Sequence, residues 1–432
     1  MIKISTLALF LILLYHKVYP QHTIGFRLKH SSTYNNSYYL FQNSDNTGNG
    51  IYTTLKMNFG SMIYFNEMCL SSSKKDMLRG SGKKIGNFYG YSNQGYILFN
   101  KKQDKLHHQI IIGRAYIKHG FGKSGQLLIS NWSRPFDQIG WELAYKGIKG
   151  RLYGIQLDYF ENSNRYLSLH IVDFVINKNI TISFGESLVY AGEDRGIELQ
   201  YFNPTLFWVP IRENQEGVNQ ANSFLYTGLL YKSNNLSFWA EFLLDDYQID
   251  REIKEPMTYG FISGLEIRNL GSYLPKFWVE YVRIANQTYQ TNSIIKDEDY
   301  IHRSYPIGHY LGNDFDNLAI LINFSKLNFN KYSLIPQLVL SVIRDGANGL
   351  DTPWEAPWLI DGKVQDPSYE QRFPTRPIKS IFEFEVSSKL IINQRSDINL
   401  GLMYTSILNE DQTDKISGVI RYNIFFGKDF NY

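Results

Sequence analysis

The sequence predicts an all-β protein, a transmembrane antiparallel β-barrel of the kind found in bacterial outer membranes. Three observations lead to this fold class. Short runs with period-two alternation continue from Ile51 almost to the C-terminus, aromatic residues cluster at the ends of these runs, and the chain stops at Tyr432 shortly after a final alternating run. In a membrane barrel such runs place one face against lipid and the other against a polar lumen.

The alternating runs carry most of this argument. One face of each run is apolar and the other carries mainly polar residues; the clearest runs are 54–59, 153–159, 167–171, 317–324, 382–387, 399–405 and 420–426. A soluble sandwich with its core on one side would alternate in the same way. The continuity of the runs and their aromatic ends favour the barrel, which also leaves no exposed edge strand.

The N-terminus has the pattern of a secretory signal peptide. Lys3 supplies a basic charge, Leu7 to Leu14 form an apolar stretch, and Val18 to Gln21 hold the region of the cleavage site. The apolar stretch is too short for a membrane-spanning helix, which needs about 20 residues. We therefore predict a signal peptide at 1–21 and a single β-barrel domain at 22–432, integral to the cell outer membrane.

Composition narrows the choice of partners. Lys and Arg total 44 against 41 Asp and Glu, a formal net charge of +3, which lacks the basic excess of a nucleic-acid-binding surface. Aromatic residues make up 16% of the chain, and its 32 tyrosines suit a membrane–water interface or the face of a sugar ring. The single cysteine, Cys69, excludes an intrachain disulfide, and we expect it to be a small buried residue in a strand.

No motif predicts a cofactor or a metal ion. The stretch 119–125 contains Gly-Lys-Ser, but Ile117 stands where a phosphate-binding loop needs its first glycine, so we expect a glycine-rich turn. The histidines lack the spacing of a ligand set, since His107 and His108 are adjacent and point to opposite faces of a strand.

Catalysis is also not predicted. Ser, His and Asp are present, but no Gly-x-Ser-x-Gly elbow occurs. The sequence therefore predicts that the chain is not an enzyme. A membrane-embedded enzyme that uses His119, His170 or His309 remains an alternative hypothesis.

Two segments interrupt the strand pattern. Residues 213–222 are polar and fit a loop or a short helix. Residues 345–377 contain five prolines together with Trp354 and Trp358, which is typical of a long structured loop. Loops of this length are usually functional or disordered.

The central part of the chain resembles the capsule assembly Wzi family. The resemblance rests on the order of several short segments over roughly residues 110 to 325, namely 113–114, 119–122, 127–131, 135–136, 165–170, 185–190, 195–199, 201–204, 243–246, 280–281, 305–309 and 311–312 with Asp314. The first and last hundred residues match only in strand pattern and in the barrel-like ending.

This resemblance implies a barrel of about eighteen strands, plugged by loops or short helices. It implies a surface lectin that binds exported capsular or exopolysaccharide and promotes its attachment or assembly at the cell surface. The expected partners are cell-surface polysaccharide, outer-membrane lipid and the barrel-insertion machinery during biogenesis. A porin-like channel or transporter is the alternative, since a polar lumen face fits it equally well.

Candidate sugar-binding residues combine aromatic faces with groups that bind hydroxyls or carboxylates. Arg can pair with the carboxylate of a uronic acid, and Asn, Asp and Glu can bind sugar hydroxyls. The candidates are Asn131, Trp132, Arg134, Arg195, Tyr201, Asn203, Trp208, Arg212, Glu213, Asp245, Asp246, Tyr305 and His309. For each aromatic residue, packing in the lumen or at the membrane interface is the competing interpretation.

Overall fold

The structure is a computed structural model. It describes residues 21–33, 50–71, 82–204, 208, 221–246, 257–271, 276–291, 296–354, 359–360, 363–364, 373–408 and 413–431. The predicted signal peptide thus lies outside the described residues, apart from Gln21, which begins the first strand.

Twenty strands form one antiparallel sheet. Two of them are short and pair with a single neighbour, Gly82–Ile85 and Leu327–Phe329. The other eighteen are β1 Gln21–Thr33, β2 Gly50–Phe59, β3 Met62–Ser71, β4 Phe88–Gln103, β5 Leu106–Ala115, β6 Phe136–Tyr145, β7 Ile148–Gln156, β8 Asn164–Val175, β9 Ile180–Gly192, β10 Ala221–Lys232, β11 Leu236–Asp246, β12 Thr258–Arg268, β13 Lys276–Ile284, β14 Phe315–Asn323, β15 Tyr332–Asp345, β16 Lys379–Asn393, β17 Ser396–Leu408 and β18 Thr413–Asn431.

These eighteen strands form a closed ring. Each strand pairs with the next one along the chain, and β18 pairs with β1 from Gln21 opposite Asn431 to Thr33 opposite Val419. Closure satisfies the backbone hydrogen bonds of both terminal strands and leaves no free edge. The predicted barrel and its strand number are confirmed.

Side chains alternate between the two faces of the barrel wall as the sequence predicts. On β17, Leu400 and Leu402 point outward and are exposed, whereas Met403 and Thr405 point inward and are buried. Exposed apolar residues occur on the outer faces of most strands, as a lipid-facing surface requires, and we call them the apolar belt. Cys69 is buried on the inner side between Tyr52 and Tyr91, as expected.

Connections differ between the two ends of the barrel. One end has tight turns such as Lys146–Gly147, where both residues have positive φ (45° and 89°), the conformation that favours a two-residue hairpin. The other end carries the long connections, including 116–135, 193–220, 285–314 and 346–378. We call it the long-loop end.

The long connections contain little regular structure in their described parts. Leu199–Phe202 is a 3-10 helix, Ile301–His302 pairs with Tyr305–Pro306, and Leu359–Ile360 pairs with Lys363–Val364. In the proline-rich segment Asp345 ends β15, and the described residues 346–354 and 373–377 form a loop; 355–358, 361–362 and 365–372 lie outside the described residues. Residues 213–220 lie outside the described part, and 221–222 begin β10. Within the described residues, no helix has the length and apolar character needed to cross a membrane.

Candidate functional site

Residues 116–135, which join β5 to β6, fold into the barrel. Leu127, Leu128 and Ile129 are completely buried and belong to the main hydrophobic core. That core also includes inward-facing residues of β7, β8 and β12, such as Ile155 and Ile262. We call 116–135 the first plug segment, because it fills the lumen beside these strands.

A buried carboxylate on β11 holds one turn of this segment. Glu241 points inward and accepts hydrogen bonds from the backbone N–H groups of Phe121, Gly122 (2.5 Å) and Leu127 (3.2 Å). An irregular turn inside a barrel needs partners for its amides, and a buried carboxylate needs donors. Each therefore satisfies the other.

A second buried carboxylate, on β13, holds the adjacent residues. Glu280 accepts from the backbone N–H of Lys123 and of Ser124, both at 2.7 Å, and from the Ser124 hydroxyl. The indole Nε1 of Trp239 donates to the same carboxylate at 2.5 Å. The glycine-rich turn predicted at 119–125 thus binds two carboxylates of its own barrel, with its amides arranged much as they would be around an anion.

The connection 285–314 lies on the first plug segment, and we call it the second plug segment. The hydroxyls of Tyr289 and Tyr300 donate to the backbone carbonyls of Leu127 and Leu128, each at 2.7 Å. Asp245 of β11 accepts from the backbone N–H of Tyr289 at 2.7 Å. Asp245, one of the predicted sugar-binding candidates, therefore anchors the plug.

Arg165 of β8 fixes the outer part of the second plug segment. Its guanidinium donates to the carbonyls of Asp297, Asp299 (2.6 Å) and Ile301 (3.0 Å) and to Asp158 Oδ1 (3.0 Å). A planar guanidinium can serve several acceptors at once without losing its charge. The hairpin that begins at Ile301 is thereby held at the long-loop end of the barrel.

This hairpin brings two arginines to one carboxylate, and a third arginine lies near them. Arg114 makes a bidentate pair with Asp137 (Nε 2.7 Å and Nη2 2.5 Å), and Arg303 Nη2 lies 3.3 Å from the same carboxylate. Arg134 donates to the hydroxyl of Tyr305 at 3.0 Å, and its guanidinium carbon lies 4.6 Å from the centre of that ring. We call Arg114, Arg134, Arg303, Asp137 and Tyr305 the arginine patch.

The arginine patch carries excess positive charge. Burial lowers the pKa of Arg303, and the neighbouring guanidinium groups of Arg114 and Arg134 lower it further, whereas Asp137 opposes them. Burial alone would raise the pKa of Asp158, but His302 and Arg165 lower it to about 2. Asp158 is therefore ionised and engaged by His302 and Arg165.

Two further sequence candidates lie beside this patch. Trp132 is partly exposed and its ring centre lies 5.2 Å from that of Tyr310. Asn131 precedes it and is also partly exposed. Of the predicted candidates, the structure thus brings Arg134 and Tyr305 into contact, and Asn131 and Trp132 precede Arg134 in the chain.

A second group of candidates lies on the outer face of the barrel instead. Trp208 stacks on His170 of β8 (ring centres 4.1 Å apart, 19° between planes), and its backbone N–H donates to Glu186 of β9 at 2.9 Å. Tyr201 packs edge-on against Trp208, and both rings are buried. This placement supports the packing interpretation for these two aromatic residues.

The remaining candidates have separate places. Arg195 bonds Glu198 at 2.6 Å and stacks on Tyr190, and Asn203 is partly exposed just after the 3-10 helix. Asp246 is the last residue of β11. His309 is completely buried against Phe315 in the second plug segment, and burial lowers its pKa to about 3. Arg212 and Glu213 lie outside the described residues.

One cluster contains Ser, His and Asp side chains, as a catalytic triad would. Its arrangement, however, is that of a structural hydrogen-bond network. The Ser183 hydroxyl lies 2.8 Å from His119 Nε2 and donates to Asp173 at 2.8 Å, while Arg151 Nη1 is 2.9 Å from His119 Nδ1. In a catalytic triad the acid occupies the Nδ1 side of the imidazole. Here an arginine occupies it, and burial together with Arg151 lowers the pKa of His119 to about 4. Within the described chain, no cluster of metal-binding side chains is present.

Sequence reasoning missed Arg114, Arg303 and Asp137 in the patch, and Glu241 and Glu280 beneath it. The two glutamates had a usable signal, because each lies on the inward face of an alternating strand. Arg303 had none, since its approach to Asp137 joins residues far apart in the chain.

Comparison with known proteins supports one family. The family model for the capsule assembly protein Wzi matches residues 93–331, a range that includes both plug segments and the arginine patch. The structure of Escherichia coli Wzi, described as an outer membrane protein involved in group 1 capsule assembly and a carbohydrate-binding β-barrel, is similar in fold with a TM-score of 0.62. The two share 13% identity over 97% of this chain and 87% of that one.

Other barrels are more distant. OprD from Pseudomonas aeruginosa has a TM-score of 0.45 at 9% identity, over 95% of this chain and 93% of that one. OccK10 from the same organism has a TM-score of 0.47 at 8% identity, over 95% and 99%. These likenesses carry no functional argument. No curated protein sequence matches the chain significantly.

Proposed function

The chain belongs to the capsule assembly protein Wzi family, and on that premise we propose that it is an outer-membrane barrel that binds exported capsular or exopolysaccharide. It holds the polysaccharide at its long-loop end and promotes attachment and assembly at the cell surface without catalysing a reaction. Its other partners are outer-membrane lipid and, during biogenesis, the barrel-insertion machinery. The arginine patch is the observation that carries this proposal.

The patch suits an acidic sugar chain. A guanidinium binds a carboxylate through two parallel hydrogen bonds, a geometry that the Arg114–Asp137 pair already shows within the protein. Arg134 is 3% exposed and the Arg303 side chain 8%, so a uronic acid would pair with them in exchange for part of their present contacts. Trp132 and Asn131 beside the patch would contact a sugar ring and its hydroxyls.

The plug supports the patch from below. The Ser130 hydroxyl donates to the carbonyl of Gly308 at 2.6 Å, and the Ser130 N–H donates to Ile307 at 2.9 Å, so the two plug segments are joined directly beside Arg134 and Tyr305. Groups held in place before binding lose little conformational entropy when the ligand arrives. The plug therefore serves as a scaffold for recognition.

A channel or transporter is the second candidate, and one observation favours it. The inner face of β16–β18 is polar, with Glu383 and Glu385 on β16 and Arg421 on β18. Such a surface would suit a hydrated path beside the plug. Steady large currents in planar bilayers would support the channel, and their absence would leave the binding function as the better account.

Binding by the purified barrel tests the proposal. The double variant Arg134→Ala/Arg303→Ala should bind an acidic capsular polysaccharide at least tenfold more weakly, since each charge-assisted pair contributes about 1.5–3 kcal/mol. Carboxyl-reduced polysaccharide should bind wild type equally weakly. Arg395→Ala, at a tight turn on the opposite end, is the matched control and should bind normally. Equal affinity of all variants would remove the patch from the proposal.

A further inference from the structure

A groove of about 590 Å³ crosses the outer face of the barrel between β6 and β11. Its walls are mainly apolar side chains of these strands, such as Trp141, Leu143, Val172, Phe184, Phe242 and Leu244. These residues follow the hydrogen-bonded partners from strand to strand, because Trp141 opposes Leu152 and Leu152 opposes His170. The groove therefore runs across the strands and not along them.

The groove opens to the outside of the barrel. Trp141, Phe184 and Phe242 are exposed, whereas residues next to them in sequence point inward and are buried. At Gly150, a Cβ atom would have no other atom within 4 Å, so the floor of the groove is open at this point.

On the long-loop side, the groove is bounded by a raised edge at Pro204, which we call the Pro204 step. Pro204 lines the groove, and Trp208 of the same connection packs on His170 and Glu186, whose side chains lie 2.8 Å apart. The described residue Trp208 thus rests on the outer face of β8 and β9, and Pro204 bounds the groove beside it. Among the described lining residues, His170 pairs with Glu186, which also accepts from the Trp208 backbone N–H. Arg151 pairs with Asp173 on the inner side of the wall.

We propose that this groove is a binding site for one acyl chain of an outer-membrane lipid. The argument is continuity, because the groove is an indentation in the apolar belt that faces lipid around the barrel. Water would find few hydrogen-bond partners on the apolar walls of the groove. An empty groove would lose van der Waals contacts on several sides. A flexible acyl chain fills such a space, and it is the molecule that surrounds the belt.

A chain in this groove differs from ordinary boundary lipid. Elsewhere the belt is convex, so a neighbouring chain touches protein on one side only. Here the floor, the strand walls and the Pro204 step contact it on three sides, which predicts slower exchange and a defined position. This inference does not depend on polysaccharide binding.

Photochemical labelling in vesicles tests the site. The purified chain is reconstituted into phosphatidylethanolamine–phosphatidylglycerol vesicles that contain a phospholipid with a diazirine on its acyl chain. Irradiation should label peptides from β8 and β9 severalfold more than peptides from β17 and β18. Gly150→Trp, which fills the groove floor, should reduce the β8 and β9 labelling to the β17 and β18 level.

Gly418→Trp is the matched control. Gly418 pairs with outward-facing Leu402 on the opposite part of the belt, and a Cβ there also meets no atom within 4 Å. This variant should leave the labelling of β8 and β9 unchanged, and both variants should keep heat-modifiable gel mobility as a sign of folding. Uniform labelling around the barrel, or labelling that Gly150→Trp does not reduce, would overturn the proposal. Cross-linking of this face to a second copy in place of lipid would also overturn it.

Discussion

The two sides of the barrel interior differ in chemistry although both arise from strands with the same alternation. Beside β7 and β8 the inward residues include the apolar Ile155 and Leu169, which belong to the same core as the plug. They also include the charged Arg151, Arg165 and Asp173, which bond to plug residues or to each other. Beside β16 and β18 the inward residues are charged, with Arg421 bonded to both oxygens of Glu385 at 2.8 Å. The comparison shows that period-two alternation fixes which residues share a face, but the surrounding chain decides what that face meets.

The outer faces of the same two regions also differ, and here it is β8 and β9 that carry polar residues. On β16 the outward residues are apolar, such as Phe384, as for a strand against lipid. On β8 and β9 the outward residues include His170 and Glu186, and they are covered by Trp208. The plugged side therefore has a core on its inner face and a covering segment on part of its outer face.

Loss of the carboxylate that holds the plug should have the largest effect. Glu280→Ala leaves the backbone N–H groups of Lys123 and Ser124 and the buried indole N–H of Trp239 without this partner. The cost is about 1–3 kcal/mol for a fully buried group, so the first plug segment should detach while the ring stays folded. Hydrogen exchange of residues 121–127 should rise by orders of magnitude. Glu67→Ala, which removes an inward carboxylate of β3 bonded by Asn93, should leave that exchange unchanged. Unaltered exchange in Glu280→Ala would contradict this role.

Truncation of a buried leucine in the plug should have the second-largest effect. Leu128→Ala creates a cavity in a fully buried core and should cost about 2–5 kcal/mol of unfolding free energy. Leu402→Ala on the outer face of β17, where the side chain is 64% exposed, should change stability little because lipid or detergent fills the space. Urea unfolding in detergent measures both, and equal losses would remove the distinction between the two sides.

Acid should loosen the plug through His309. Its pKa is lowered from 6.5 to about 3 by burial, so the folded plug holds the neutral imidazole. This contribution to stability is complete above pH 6.5 and is lost as the pH falls toward 3, at up to about 1.4 kcal/mol per pH unit. The protection factors of residues 305–314, which correct the exchange rates for the intrinsic effect of pH, should therefore fall on acidification, and the fall should be smaller in His309→Asn. The same pH dependence in both proteins would exclude His309 as the cause.

The smallest effect is expected from Arg134→Lys. Lysine keeps the charge but loses the planar group that stacks on Tyr305, so affinity for acidic polysaccharide should fall only severalfold, less than in Arg134→Ala. Equilibrium binding of the two variants, compared at the same ionic strength, measures the difference. Equal losses would mean that charge alone does not support binding at this position.

The sequence predicted the ring better than the site, for physical reasons. Leu400 and Leu402 show their common face through local spacing, which any strand must obey. We expected the apolar faces of strands to contact lipid. Tyr153 and Ile155 instead point inward and pack in the core that contains the plug, which local spacing cannot reveal. Arg134 and Tyr305 were predicted separately, but their contact depends on how two loops meet inside the barrel.

Cells that lack the gene provide the most direct test of the central claim. Cell-attached and released polysaccharide would be measured after complementation with wild type, Arg134→Ala/Arg303→Ala or Arg395→Ala, all at equal levels in the outer membrane. The account predicts that the double variant leaves total polysaccharide unchanged but shifts it from the cells to the medium, whereas Arg395→Ala restores attachment. A fall in the total would place the protein in export or synthesis, and full attachment with the double variant would contradict binding by the arginine patch.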